Sequence, residues 1–208
     1  MKKLIALVLM GVMLLSFGGC GTKDFNAKGY VQAVLDAKFQ REYKEYAKII
    51  AVSEKEAKKQ MESEFNESLK TSMNRTGIPI TDAQMEEYLK LEADVRTKVQ
   101  YEVKDAVKDE DGNFTVDVVI TPVTAYTNLQ TTYTNKLTSA IQNGATEDQY
   151  MAIFLETMKE CIANAGTGEP VTMTLDVKWE ESGKNKVYSI DEKEWLNVDL
   201  VAIGGTTE

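Results

Sequence analysis

Four side chains in the central and C-terminal parts of the sequence have the chemistry to act on a ligand: Asp105, Tyr101, Tyr126 and Trp179. If the alternation of apolar and polar residues from Tyr101 onward is strict, Asp105 falls on the apolar face of a strand. A carboxylate facing a pocket has a raised pKa and can act as an acid or base beside a tyrosine. The alternative is a β-bulge at Asp105 and Ala106 that turns the carboxylate outward, and bulges are common in short twisted hairpins. Tyr126 and Trp179 are more typical of a core than of a ligand platform.

The chain contains no histidine. This absence excludes Ser-His-Asp and Cys-His catalysis, HExxH zinc sites and histidine pH switches. The segment KDEDGNF is similar to a calcium loop, but Phe114 stands where an EF-hand needs glycine, so we interpret the segment as a hairpin turn. GTGEP and IGGTTE lack the Lys-Ser/Thr pair of a phosphate-binding loop. We therefore predict no catalytic residue, no metal site and no cofactor.

The N-terminus has the order of features found in export signals. Lys2 and Lys3 precede an apolar run over residues 4–17, and two glycines then lead to Cys20. The run is shorter than the about 20 residues that span a bilayer. It resembles a bacterial lipoprotein signal, which implies that residues 1–19 are removed and that the Cys20 thiol is acylated. The alternative is an ordinary cleaved signal with an incidental cysteine.

Acylation would also account for the small number of cysteines. Cys161, the second of the two cysteines, falls on the apolar face of a predicted helix and is expected to be a buried small hydrophobe. An exported chain stabilised by disulfides would normally contain several cysteines. The diacylglyceryl group implied by the resemblance would anchor the protein stably at the extracytoplasmic face of the bacterial membrane, with residues 20–27 as a tether.

The charge balance limits the classes of partner. The chain has 24 Lys and Arg against 33 Asp and Glu, a net charge of −9. An acidic surface repels phosphate backbones and anionic headgroups, so we expect no nucleic-acid partner and membrane attachment through the lipid alone. The remaining partners are an unknown small molecule or another envelope protein.

Helix signals dominate the first half of the chain. Capping boxes begin at Ser53, Thr81, Thr146 and Asp191. Apolar residues recur every four positions after Ser53, which predicts a long helix with a narrow buried stripe. Similar patterns predict a helix or broken helix pair before it and a third helix after the loop RTGIPIT.

The period then changes to that of strands. Asp111-Gly112-Asn113 separates two alternating runs, which predicts a hairpin with Tyr101, Val103 and Val107 on one face. The partner strand presents Phe114, Val116, Val118 and Ile120 on its own apolar face.

Two helices follow over 128–142 and 147–165, then a second hairpin over 166–190. In that hairpin Val171, Met173, Leu175, Val177 and Trp179 are predicted to share one face. Residues 192–203 fit a short helix ending at Gly204, or a strand with Leu196, Val198 and Leu200 on one face.

These elements predict a single α+β domain over residues 28–208. Its N-terminal helices would pack on a curved antiparallel sheet of two hairpins, with a helix pair inserted between the hairpins. The lipoprotein start, the helices in KGYVQAVLDAKF and REYKEYAKI, and the sheet followed by VYSIDEKEW resemble predicted clostridial lipoproteins that carry a domain of unknown function. That resemblance implies the cystatin-like, nuclear-transport-factor-2-like fold.

Three function classes remain open. We favour a membrane-anchored binding or accessory module, because folds of this kind often present a concave apolar pocket. The alternatives are a small pocket enzyme using Asp105 and a tyrosine, and a purely structural envelope protein. An apolar cavity would indicate binding, a cavity lined by several polar groups would indicate an enzyme, and the absence of a cavity would indicate a structural role.

Overall fold

The computed structural model describes residues 25–182 and 185–204. Its mixed α+β chain follows the predicted order of helices, hairpin, helix pair, hairpin and terminal helix. The helices are α1 Ala27–Leu35, α2 Lys44–Ile49, α3 Glu54–Asn74, α4 Asp82–Arg96, α5 Leu129–Gln142, α6 Tyr150–Ala163 and α7 Glu192–Ala202. The strands are β1 Gln100–Lys108, β2 Phe114–Thr121, β3 Val171–Ser182 and β4 Asn185–Ser189. A π-helical segment, Asp36–Gln40, follows α1, and 3₁₀ turns cover Thr124–Tyr126 and Glu147–Gln149.

Local capping explains where the two longest helices begin. The Ser53 hydroxyl accepts a hydrogen bond from the backbone N–H of Glu56, and the backbone N–H of Ser53 donates to the Glu56 carboxylate, which completes a capping box. Thr81 does the same with Gln84 at the start of α4. Between α3 and α4 the chain turns at Gly77, whose φ of 71° suits a residue without a Cβ. The predicted capping boxes at Ser53 and Thr81 and the predicted loop between them are confirmed.

The four strands form one antiparallel sheet in the order β1-β2-β3-β4. The two hairpins therefore lie side by side, joined by pairing of β2 with β3 from Phe114↔Val177 to Ile120↔Val171. Helices α5 and α6 are inserted between these two central strands, as the sequence predicts. The α+β class and the inserted helix pair are confirmed.

A β-bulge interrupts β1. Its register against β2 shifts between Val103, which pairs with Val118, and Ala106, which pairs with Val116. Between these two pairs β1 contains one residue more than β2. The alternation of buried and exposed side chains along β1 is therefore reversed after the bulge. Val107, predicted to share the buried face of Tyr101 and Val103, is instead 67% exposed. That prediction was wrong because it assumed an unbroken period of two.

One face of the sheet forms the main core. Helix α1 packs across β1 and β2, and α7 packs across β2 and β3. The predicted apolar face of β2 is fully buried, whereas on β3 only the middle of the predicted face, Leu175 and Val177, is fully buried. Residues 192–202 are helical, so the alternative strand interpretation is wrong. Leu196 and Leu200 are 50% and 39% exposed on this helix.

Packing of the described chain begins at Phe25. Its ring stacks on Tyr188 with centroids 3.9 Å apart, and Ala27, the first residue of α1, is buried. Both residues fall in the range assigned from sequence to the tether. Residues 1–24, which include the predicted signal and Cys20, lie outside the described residues.

A second, smaller core lies among the helices. The end of α3, α4 and α6 bring together Met73, Tyr88, Met151, Leu155 and Met158. None of the residues of α5 is fully buried, and this helix packs against α6.

Cys161 is a free cysteine that is only half-buried, so it is less enclosed than the sequence predicts. Within the described chain, every helix is too short or too polar to cross a membrane.

Candidate functional site

Asp105 lies at the bulge and points into solvent. Its side chain is 94% exposed and forms an ion pair with Lys28, 2.8 Å from Nζ to Oδ1. The hydrogen bond and the positive charge of Lys28 hold the pKa of Asp105 below its ordinary value. A group in this environment is not a neutral acid in a pocket, so the acid–base interpretation of Asp105 is wrong and its bulge alternative is confirmed.

Tyr101 and Tyr126 are half-buried and their hydroxyls are engaged by carboxylates. Tyr101 donates to Asp36 Oδ1 at 2.6 Å. Tyr126 donates to Glu92 Oε2 at 2.9 Å. Burial raises the pKa of Glu92 even though Tyr126 and Arg96 favour its charged form. Tyr101 therefore ties the π-helical segment to β1, and Tyr126 ties α4 to the 3₁₀ turn that follows β2.

Trp179 stabilises the first hairpin turn. Its indole Nε1 donates to the carbonyl of Asp111 at 2.6 Å, and its backbone N–H donates to Asn113 Oδ1. Asp109 accepts the backbone and side-chain N–H groups of Asn113, which places KDEDGNF in a hairpin turn as predicted. Trp179, Asp105 and the two tyrosines thus have separate roles at different places, and the structure does not bring these four predicted candidates together.

A cavity of about 250 Å³ lies instead among the helices. Its walls come from α1, the π-helical segment, α2, α3, α4 and α7. Most of the lining side chains are apolar or aromatic. They include Tyr30, Val34, Tyr43, Tyr46, Met61, Phe65, Leu69, Ala93, Trp195 and Leu196.

Three of the seven charged side chains that line the cavity, Lys38, Arg96 and Asp199, lie close together. Lys38 Nζ lies 2.9 Å from Asp199 Oδ2, and Arg96 Nη1 lies 3.1 Å from Asp199 Oδ1. The two cationic side chains are only 12% and 16% exposed. Burial by itself raises the pKa of Asp199, but the charges of Lys38 and Arg96 outweigh it and hold this pKa below its ordinary value. Two cations therefore share one carboxylate.

Aromatic rings cover both cations. Lys38 Nζ lies 5.5 Å from the ring centre of Trp195, and the guanidinium carbon of Arg96 lies 4.8 Å from that of Phe65. Distances below about 6 Å allow a favourable interaction between a cation and the face of a ring.

Two polar atoms at this site lack a hydrogen-bond partner among the described residues. They are Arg96 Nε and Glu64 Oε2, and both are buried. A buried polar atom without a partner costs about 1–3 kcal/mol, and natural structures contain few of them. Two such atoms on the residues of one cavity wall indicate a place where a bound molecule can supply partners.

Local backbone features position the charged residues. The π-helical segment contains Lys38 and ends at Arg41, whose φ of 59° lies in the left-handed region that favours glycine. Single π-turns occur often at functional sites. On α7, Trp195 and Asp199 are four residues apart and so lie on one face. Arg96 is the last residue of α4, where a cation is favoured by the helix dipole.

Sequence patterns alone did not identify these residues, since Lys38, Arg96 and Asp199 look like ordinary surface charges of helices. Trp195 and Asp199 are four residues apart, so they share one face if this segment is a helix. That spacing could have indicated a joint role for the two side chains, but only once the segment is known to be helical. Nothing in the sequence relates that segment to Lys38, which is 161 residues away from Asp199.

Comparison with solved structures relates this fold to a known protein. YcdA from Bacillus subtilis, named as a candidate lipoprotein, superposes with a TM-score of 0.59 at 14% sequence identity. The match covers 88% of this chain but 56% of YcdA, so the chain spans little more than half the length of that relative. A search among curated proteins finds no match. Residues 27–203, which include the helices and strands that form the cavity, match the model of one family, and the chain belongs to that family, the domain of unknown function DUF5105.

Proposed function

We propose that this protein is a lipid-anchored, extracytoplasmic binding module whose ligand site is the cavity lined by Lys38, Arg96 and Asp199. The observation that carries the proposal is the combination of an aromatic wall with buried polar atoms that lack partners. Small-molecule sites are typically concave and mostly apolar, with a few placed polar groups that fix the orientation of the ligand. The helical cavity has this composition.

The lipid anchor is supported by the sequence before the described residues. The basic start, the short apolar run and the glycines before Cys20 form a lipoprotein-type signal. A protein that shares the fold, YcdA, is itself named as a candidate lipoprotein. A diacylglyceryl group on Cys20 places at least two acyl chains in the bilayer, which is enough for stable anchoring.

Mass spectrometry of the membrane-extracted protein is expected to show an acylated N-terminal Cys20. Cys20→Ala is expected to move the protein out of the membrane fraction without changing its unfolding midpoint, because the described core is built from residues 25 and beyond. Cys161→Ala serves as the control and should leave the protein in the membrane. An unmodified Cys20 thiol, or a mature N-terminus at another residue, would contradict the anchor.

A thermal-shift screen with metabolites and cell-wall fragments tests the binding role. A ligand at a hundred times its dissociation constant stabilises the native state by about 2.7 kcal/mol. Ala93→Phe fills space at the cavity wall and is expected to abolish the stabilisation. Ala83→Phe makes the same change at an exposed position of the same helix and should retain it. A ligand that stabilises both variants equally binds elsewhere and contradicts this site.

We further propose that the protein binds without catalysing a reaction. Seven of the twenty residues that line the cavity are charged, which the sequence criteria associated with an enzyme, but eleven are apolar or aromatic. Asp105 is in solvent and the two candidate tyrosines are held by carboxylates. The acidic charge of the chain disfavours a nucleic-acid partner.

The finer fold assignment is also a proposal. Helix α1 lying across an antiparallel sheet supports the cystatin-like, nuclear-transport-factor-2-like class, and the lipoprotein start supports a relationship to clostridial lipoproteins.

A further inference from the structure

We propose that the helical cavity takes a zwitterionic α-amino acid with a large apolar side chain. Lys38 and Arg96 bind its carboxylate, and Glu64 binds its ammonium group. This inference rests on the proposed binding role of the cavity and names the chemical class of its ligand.

The cationic part of the wall has unused capacity for an anion. A guanidinium has five N–H donors and an ammonium has three. Among the described residues, Arg96 donates to Asp199 through Nη1, and Lys38 donates to the same carboxylate through Nζ. Lys38 and Arg96 therefore share the carboxylate of Asp199, and Arg96 Nε has no acceptor. A second carboxylate would accept the remaining donors of these two side chains, and planar guanidinium groups bind carboxylates well.

Glu64 supplies the complementary charge. Its Oε1 accepts a long hydrogen bond from Gln60 Nε2 at 3.3 Å, whereas its Oε2 is buried without a partner. The neighbouring Tyr46 feels this carboxylate, since burial and then the charge of Glu64 raise the pKa of Tyr46 to about 12. Glu64 forms no ion pair with Arg96 in the described chain, and Arg96 is paired with Asp199 instead. An ammonium group is the donor that best satisfies a buried carboxylate.

The volume of the cavity and its apolar residues limit the side chain of the amino acid that can bind. An apolar cavity of about 150 Å³ holds a benzene molecule, so a cavity of about 250 Å³ has room for roughly ten to fifteen non-hydrogen atoms. L-phenylalanine falls in this range. Phe65, Tyr46 and Trp195 offer ring surfaces for an apolar or aromatic side chain.

The overall charge argues against a purely anionic ligand. Glu62, Glu64, Glu192 and Asp199 all line the cavity, and the whole chain has a net charge of −9. An anion without a compensating positive group would meet repulsion from these carboxylates. A zwitterion adds no net charge. Its carboxylate can pair with Lys38 and Arg96, and its ammonium group can pair with Glu64.

Titration calorimetry on the full chain with three probes tests the inference. The probes are L-phenylalanine, 3-phenylpropionate, which lacks the ammonium group, and phenethylamine, which lacks the carboxylate. L-phenylalanine is expected to bind at least about tenfold more tightly than either analogue, because each analogue leaves one charged hydrogen-bonding group unpaired. Equal or tighter binding of 3-phenylpropionate would overturn the role of Glu64, and equal or tighter binding of phenethylamine would overturn that of Lys38 and Arg96.

Two variants of α3 localise the ammonium site. Glu64→Gln is expected to weaken L-phenylalanine binding about tenfold while leaving 3-phenylpropionate unaffected or tighter. Glu67→Gln removes an exposed charge from the same helix and should leave both affinities unchanged. If none of the three probes binds, but a compound from the screen stabilises the protein and Ala93→Phe blocks it, the ligand class is wrong and the binding role stands. If no compound from the screen binds there, both proposals fail.

Discussion

Trp195→Ala is expected to lower the free energy of unfolding by about 3–5 kcal/mol, the usual cost of truncating a buried tryptophan. Trp195 is 6% exposed in the main core, where α7 packs across the sheet. The substitution removes a large packed surface and also the ring that covers Lys38. Urea unfolding monitored by circular dichroism measures the loss through the shift in midpoint.

Leu196→Ala is the matched control because its position is adjacent on the same helix. Leu196 is 50% exposed, so its truncation is expected to cost less than about 1 kcal/mol. The pair of variants also tests the helical structure of residues 192–202. In a strand with Leu196, Val198 and Leu200 on the buried face, the costs of the two substitutions would be reversed.

Asp199→Asn is expected to destabilise the protein by about 2–3 kcal/mol at neutral pH. The change leaves Lys38 and Arg96 largely buried without their shared counter-charge. Removing one partner from a buried ion pair is costly because the remaining charge stays desolvated. An unchanged urea midpoint at pH 7 would show that solvent, and not Asp199, balances these two cations.

The cost of Asp199→Asn is also expected to depend on pH. The pKa of Asp199 is lower in the native state than in the unfolded chain, where it is about 3.9. Its stabilising effect is therefore complete above the unfolded pKa and is lost as the pH falls through the lower native pKa. Unfolding midpoints measured from pH 3 to 8 should thus converge for the two proteins at the acidic end. Asp105→Asn is the control, and its effect should be too small to measure because that side chain lies in solvent.

Local signals in the sequence were sufficient for most of the secondary structure. The capping boxes at Ser53 and Thr81 involve residues three positions apart, and the first hairpin turn is encoded by Asp111-Gly112-Asn113. Interactions over so few residues are present in the sequence itself, which is why the order of elements and the α+β class were predictable.

The bulge and the helical form of α7 depend on packing. A strict period of two predicted that Val107 is buried, but β1 adapts to β2 by placing Asp105 and one extra residue in solvent. Residues 192–203 fit a helix and a strand almost equally well by pattern. Contact of Trp195 and Val198 with the sheet core favours the helix, because these two residues lie on one face only in that conformation.

By itself the sequence determined most of the helices and the hairpins, and its signal-like start predicts Cys20 as the residue for acylation. The tertiary structure alone decided where the cavity and its charged residues lie. Asp199 meets Lys38 and Arg96 across 161 and 103 residues, and each of the three looks like a surface charge in its own segment. Their burial results from the packing of three separate helical segments around one space. A pattern within one segment does not contain that information, because periodicity reports which face of an element is apolar and not which other element covers it.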